Sequence, residues 1–143
     1  SIVAYNNAHY GDVSALLSHG RGKTMGDGWE TRRRREPGND WIIIKLATKG
    51  LIKKIEIDTA HFKGNYPDQA SVQVSNFDKN KGLEEVINDS HNWKYILDKS
   101  KLQADNIHNY EVNDTSIKGV THVRLNIYPD GGVSRLRIFG LKL

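Results

Sequence analysis

A two-residue periodicity runs through this chain and limits what it can fold into. Between Leu51 and Thr59, Ile55 and Ile57 oppose Lys54, Glu56 and Asp58. Ala70, Val72 and Val74 alternate with Ser71, Gln73 and Ser75. Val123, Leu125 and Ile127 alternate with His122, Arg124 and Asn126, and Leu136 and Ile138 oppose Arg135 and Arg137. Successive side chains of a strand point to opposite faces, so each segment predicts a strand with an apolar face turned inward. Asp40 to Leu46, bounded by Gly38 and Gly50, is β-branched without strict alternation. That predicts a central strand covered on both faces. Trp93 to Leu97 and Asn109 to Val112 are weaker strand candidates. No stretch of comparable length carries a 3.6-residue apolar stripe. The helical expectation is confined to a short turn over Gly11 to Leu17, with Asp12 capping the amides of Ser14 and Ala15. Short alternating strands separated by Gly, Pro, Asn and Asp favour an all-β sandwich or jelly roll, and a βαβ fold lacks its crossover helices.

With 143 residues the chain can fill one hydrophobic core and not two, so residues 1–143 read as a single domain. The absence of cysteine excludes a disulfide framework and a thiolate metal site. Phe77 to Ser90, rich in Asp, Lys and Asn, reads as a solvated flexible insertion, and Lys99 to Asn106 reads similarly. Ser1 to Tyr10 shows no signal-peptide pattern, and the C-terminal Leu141-Lys142-Leu143 is not a peroxisomal address. The longest apolar run, Trp41 to Ile44, is far short of the ~20 residues a membrane span needs. A cytoplasmic protein with no membrane partner is expected. The net charge of +4 owes much to Arg32-Arg33-Arg34-Arg35. No aromatic platform or nucleic-acid motif accompanies that run, so nucleic acid is not expected as a partner.

Three segments are dense in groups that can do chemistry. In Gly26-Asp27-Gly28-Trp29-Glu30-Thr31-Arg32 the glycines suggest a close backbone approach, and Trp29 is suited to plug the end of a sandwich. Asp27, Glu30 and Arg32 are then candidates to face a ligand. The four arginines cannot all serve one ligand, because neighbours in an extended segment diverge; one alternating pair can reach a pocket, and an arginine fork suits a carboxylate. Asp58-Thr59-Ala60-His61-Phe62-Lys63-Gly64-Asn65 lies where a strand ends. There His61 can exchange protons near neutrality, oriented by Asp58 if the chain bends between them, or can simply bond to backbone. Tyr128-Pro129-Asp130-Gly131-Gly132 is a turn between strands. Arg135 and Arg137, with Arg124, are candidates to line a concave anion-binding surface. The six histidines show no metal-ligand spacing, and a P-loop, a dinucleotide fingerprint and a nucleophile elbow are missing.

Taken in order, Met25-Gly26-Asp27-Gly28-Trp29-Glu30-Thr31-Arg32-Arg33, Pro37-Gly38-Asn39-Asp40-Trp41, Asp58 to Asn65, and Tyr128 to Val133 followed by Arg135-Leu136-Arg137 resemble the allantoicase family. The resemblance implies a jelly-roll β-sandwich, galactose-binding or discoidin-like, and a single repeat most similar to the second of the family's two. It implies hydrolysis of allantoate to ureidoglycolate and urea in purine degradation, with a ureide as small-molecule partner and a homo-oligomer formed through the full two-repeat chain. Glu30, His61 and Asp130 are the implied catalytic residues. Asp27, Arg32, Arg33, Asp58, Lys63 and Arg135 are the implied substrate contacts. A divalent metal is compatible with that chemistry, its ligands unknown. The competing expectations are a carbohydrate- or protein-binding jelly roll, or a repeat that supports a catalytic partner repeat.

Overall fold

The computed structural model describes residues 1–77 and 81–143. Its elements run β1 (Ile2–Tyr5), a 3₁₀ turn (Val13–Leu17), β2 (Trp29–Glu30), β3 (Asp40–Asp58), β4 (Gln69–Ser75), α1 (Leu83–Ser90), β5 (Lys94–Lys101), β6 (Ile107–Glu111), β7 (Val120–Tyr128), β8 (Gly132–Val133) and β9 (Arg135–Lys142). One strand organises both layers. The first half of β3 lies between β1 and β7, continuing outward through β4 to β5, all antiparallel. Its second half lies between β6 and β9. Register breaks between Lys45 and Gly50, where the strand passes from one layer to the other. Ile42 and Ile44 from the first half meet Ile55 and Ile57 from the second in one core, with Val72, Val74, Val123, Leu125, Ile127 and Leu136. Burying those alternating residues in a single layer of contact drives the sheet to fold over on itself.

The alternation therefore forms strands as expected, with four differences. Asp40–Leu46 and Leu51–Thr59 are not separate strands; Gly50 sits inside β3, bonded to both neighbours, rather than ending it. The second difference lies in the segment read as a loop from Phe77. It contains α1, whose apolar residues Val86 and Ile87 pack with Phe77 and Trp93 over Ile43, Trp41 and Val3. Residues 78–80 of that segment lie outside the described residues. This second cluster covers the outer face of β3, as the unalternating run Trp41–Ile44 implied. The third difference follows from it. His122, Arg124 and Asn126, expected on a solvated face, are all buried. β5 also extends to Lys101, into a stretch read as loop.

Local chemistry seats the remaining elements. Asp12 caps the 3₁₀ turn, its carboxylate accepting from the Ser14 amide at 3.0 Å, while the Ala15 amide bonds instead to the Asp12 carbonyl. Trp29 is fully buried and donates its indole N–H to the Asn7 carbonyl at 2.9 Å. At Gly28 a Cβ would lie 2.7 Å from the Val133 carbonyl, which is the close approach that the paired glycines suggested. Among the described residues no helix is long and apolar enough to cross a membrane.

Candidate functional site

β2 and β8 form a small two-stranded ladder, Glu30 opposite Gly132, that brings three distant segments to one rim. Around it the backbone is stitched across the chain. The Thr31 amide donates to the Gly131 carbonyl at 2.9 Å, the Gly131 amide donates to Thr31 Oγ1 at 3.0 Å, and the Gly132 amide donates to the Asn65 carbonyl at 2.9 Å. The Arg34 amide donates to Asp130 Oδ2 at 2.8 Å. Asp130, an implied catalytic residue, thus reaches from its own turn to the arginine segment. Its Oδ1 receives no hydrogen bond among the described residues. Glu30, almost fully buried, accepts from Asn65 Nδ2 at 2.6 Å.

These contacts frame an open cavity of about 620 Å³ bordered by Arg33, Arg34, Asn65, Tyr66, Asp68 and Asp130. Arg33 is exposed, and its guanidinium makes no hydrogen bond or ion pair among the described residues. Glu30 reaches this cavity through Asn65. A second hollow of about 350 Å³ is lined by all four arginines with Asn7, Glu36 and Asp40. Within it Arg34 is committed, donating to Asp40 Oδ1 at 2.7 Å and pairing with Glu36 at 3.3 Å. Arg32 is exposed there, and only its backbone is tied, to Asn7 Oδ1 at 3.1 Å.

The other residues singled out in the sequence sit in a charged seam behind the rim. Arg135 is buried and gives Nη2 to Asp27 Oδ1 at 2.7 Å and Nη1 to the Asp27 carbonyl at 2.8 Å. That guanidinium, and after it the Lys23 amide, hold the Asp27 carboxyl below the usual carboxylate range. Asp58 is fully buried, capping the Ala60 amide at 2.8 Å and pairing with Arg21 at 3.1 Å. Glu56 on the same face takes Arg21 and Arg137. The chain does bend between Asp58 and His61, which has φ 75, but the imidazole does not turn to Asp58. His61 Nε2 lies 2.6 Å from the Gly22 carbonyl, and its own amide donates to Asp105 Oδ1 at 2.7 Å. The backbone role weighed for His61 is the one its ring fills here, and His61 borders neither cavity. Lys63 is exposed and makes no described side-chain bond. Arg124 does not join Arg135 and Arg137 in a common concave surface. It lies on β7 under α1, while they lie on β9 beside Glu56.

A family model described as the allantoicase repeat matches residues 1–143, the whole chain. The chain belongs to the allantoicase family. It is 54% identical over 139 residues to a probable allantoicase 1 of Burkholderia mallei, covering 97% of this chain and 41% of that one. It is 53% identical over 145 residues to a probable allantoicase of Rhizobium meliloti, covering 97% and 42%. The crystal structure of allantoicase from Saccharomyces cerevisiae superposes with a TM-score of 0.82 at 41% identity, over 97% of this chain and 39% of that chain. The chain thus spans about two-fifths of the length of the curated allantoicases it matches. The F5/8 type C domain of a Bacteroides fragilis protein aligns over 100% of this chain and 92% of its own, at a TM-score of 0.70 and 13% identity. That likeness concerns the fold alone, an all-β discoidin-like sandwich.

In this allantoicase repeat the sequence pointed to Glu30, Arg33 and Asp130, and the fold brings them to one rim. It did not point to Asn65, Tyr66 or Asp68 as cavity residues, because Gly64-Asn65 and Pro67 read as loop punctuation. The available signal was only that an amide follows glycine at the end of a motif already suspected. Among the described residues no three His, Asp or Glu side chains are grouped as a metal ion would require.

Proposed function

We propose that this chain is one jelly-roll repeat, the counterpart of the second, of a longer cytoplasmic and homo-oligomeric allantoicase. On this reading its Arg33–Asp130 cavity binds allantoate for hydrolysis to ureidoglycolate and urea. One observation carries the reading. An uncommitted guanidinium, an uncommitted carboxylate oxygen and an amide side chain border a single open cavity.

Allantoate is a carboxylate with two ureido groups on one carbon. The forked guanidinium of Arg33 offers parallel donors to the carboxylate, while Arg32 lines the neighbouring hollow. Asn65 and the buried Glu30 behind it hold ureido N–H and C=O groups. Asp130 takes a proton from the attacking water as its oxygen bonds to the central carbon. The bond from that carbon to one ureido nitrogen breaks, and Asp130 returns the proton to the departing nitrogen, which leaves as urea. The proton count closes on one carboxylate. Asp27, Asp58 and Arg135 then act as the rigid backing of the rim, and His61 holds the Gly22 segment through its carbonyl.

The test is urea release from allantoate by three proteins: this chain alone, a two-repeat chain containing it, and that two-repeat chain carrying Asp130→Asn. The amide keeps an oxygen for the Arg34 amide but cannot shuttle a proton. Turnover of the two-repeat chain should fall by about 10²–10⁴-fold in the variant, with unchanged circular dichroism. An inactive two-repeat chain, or a variant as active as its parent, would overturn the proposal.

A further inference from the structure

The outer face of the β7 layer holds a buried charge that the protein leaves without a counter-ion. Arg124 is only 4% exposed. Its Nε donates to Asn126 Oδ1 at 2.8 Å, its Nη1 donates to Ser90 Oγ at 2.6 Å, and its guanidinium carbon lies 4.8 Å from the centroid of the Trp41 ring. All three neighbours are neutral. Among the described residues no carboxylate lies within ion-pair distance of it. The contrast with the other arginines inside the fold is direct: half-buried Arg34 meets Asp40, and buried Arg135 meets Asp27. A cation removed from water without an anion is destabilising, and a ring face offsets only part of that cost.

The guanidinium is not sealed. Nη2 donates to no described residue, yet it is not one of the buried polar atoms left without a partner, so that edge reaches solvent. The polar groups that share this outer face are hydrogen-bond donors or cations. Tyr95 and Arg124 both stand opposite Gln73 across β4, Tyr128 lies four residues on along β7, and the two phenols draw the Arg124 pKa upward against the stronger downward pull of burial. Tyr128 shares a proton with Ser71 at 2.8 Å, and Ser71 continues through Asn126 to Gln73. The Lys99 ammonium stands 4.3 Å from the centroid of the Tyr128 ring. A neutral glutamine would serve to tie β7 to Ser90 and Asn126. A permanently charged group with a free edge is needed only if something negative arrives.

We propose that the Nη2 edge of Arg124, with the Tyr95 and Tyr128 hydroxyls and the Lys99 ammonium, is a binding site for a small oxoanion: a carboxylate, sulfate or phosphate. It shares no lining residue with the Arg33–Asp130 cavity. Most of the Arg124 charge is already out of water, so a ligand at the free edge supplies a counter-charge with little further loss of arginine hydration.

The test is an NMR titration of the full chain, following the Arg124 Nε–H and Trp41 indole N–H signals. Sodium sulfate, phosphate and acetate are added in turn, with sodium chloride as the reference at equal ionic strength. At least one oxoanion should give a saturable shift of both signals that chloride does not. Arg124→Gln should abolish it. Because that variant removes a buried network member, Tyr95→Phe and Lys99→Ala, which change an exposed part of β5, provide the independent arm. Together they should weaken binding by about tenfold. Shifts that follow ionic strength alone, no shift with any of the three anions, or unchanged binding in the β5 variants would overturn the proposal.

Discussion

At the residue scale the site depends on side chains that never touch the cavity. Arg135 spends its donors on fixed acceptors: Nε on the Gly20 carbonyl at 3.1 Å, Nη1 on the Asp27 and Ser134 carbonyls, and Nη2 on the Asp27 carboxylate. It ties the segment that leads into Trp29 and Glu30 against β9. Arg135→Met keeps the aliphatic bulk and removes every one of these bonds, leaving the buried Ser134 carbonyl and the half-buried Asp27 carbonyl without this donor. The expected loss is about 3 kcal/mol in urea denaturation, whereas Asp27→Asn, which retains an oxygen for Nη2, should lose clearly less. Equal losses would mean that the pair acts through charge rather than through hydrogen-bond geometry. Asp27 and Arg135 were legible as polar residues at strand ends but not as partners for each other. They are 108 positions apart, and local spacing says nothing about a contact at that separation. The same blindness explains Asp58, whose partner Arg21 lies in a loop that no periodicity marks. Asp130 and Arg33 stood out through the motifs they sit in, and the fold leaves Asp130 Oδ1 and the Arg33 guanidinium without a bond among the described residues.

At the element scale, the strands were readable wherever one face is apolar and the other polar, and misread wherever a second layer covers the polar face. His122, Arg124 and Asn126 alternate with core residues as a solvated face would, but α1 and Trp93 cover them. The helix itself was missed because its eight residues expose most of their surface. The spacing of Leu83, Val86 and Ile87, with Glu84 and Glu85 in the first turn, was the signal present. The β2–β8 ladder was also missed, since two residues per strand carry no period. Yet it sets the site, and Gly132 is its tightest point. A Cβ there would fall 2.0 Å from Cε1 of the fully buried Phe62, the residue that anchors the loop leading to Asn65. Gly132→Ala must displace that ring. The expected outcome is a loss of about 1–3 kcal/mol in stability, with loss of the Asn65–Glu30 hydrogen bond in a crystal structure. An unperturbed Asn65 in a stable variant would show that the ladder does not govern the rim.

For the whole molecule, the second cluster makes folding itself sensitive to pH. His122 is 5% exposed, with Phe77 and Trp93 rings at 5.8 and 5.9 Å, and its Nδ1 lies 2.8 Å from Thr121 Oγ1. Burial first, and then the charge of Lys45, push its pKa below the ordinary histidine value of 6.5. The unfolded chain therefore binds a proton at a higher pH than the folded chain does. Between the two pKa values the unfolded state holds more protons, so stability rises with pH there. The neutral imidazole's contribution is complete above 6.5 and is lost as pH falls through the depressed folded value. Denaturation midpoints taken between pH 7.5 and 5 should decline for the parent chain, and the decline should be shallower for His122→Gln, which keeps a polar group beside Thr121 without the titration. Because His122 shares its outer face of β7 with Arg124, the same experiment repeated in the oxoanion that shifts the Arg124 signals has a fixed expectation. A bound ligand raises stability at every pH by mass action and leaves the difference between parent and His122→Gln unchanged. A difference that disappears in the anion would mean that the two groups respond as one electrostatic unit.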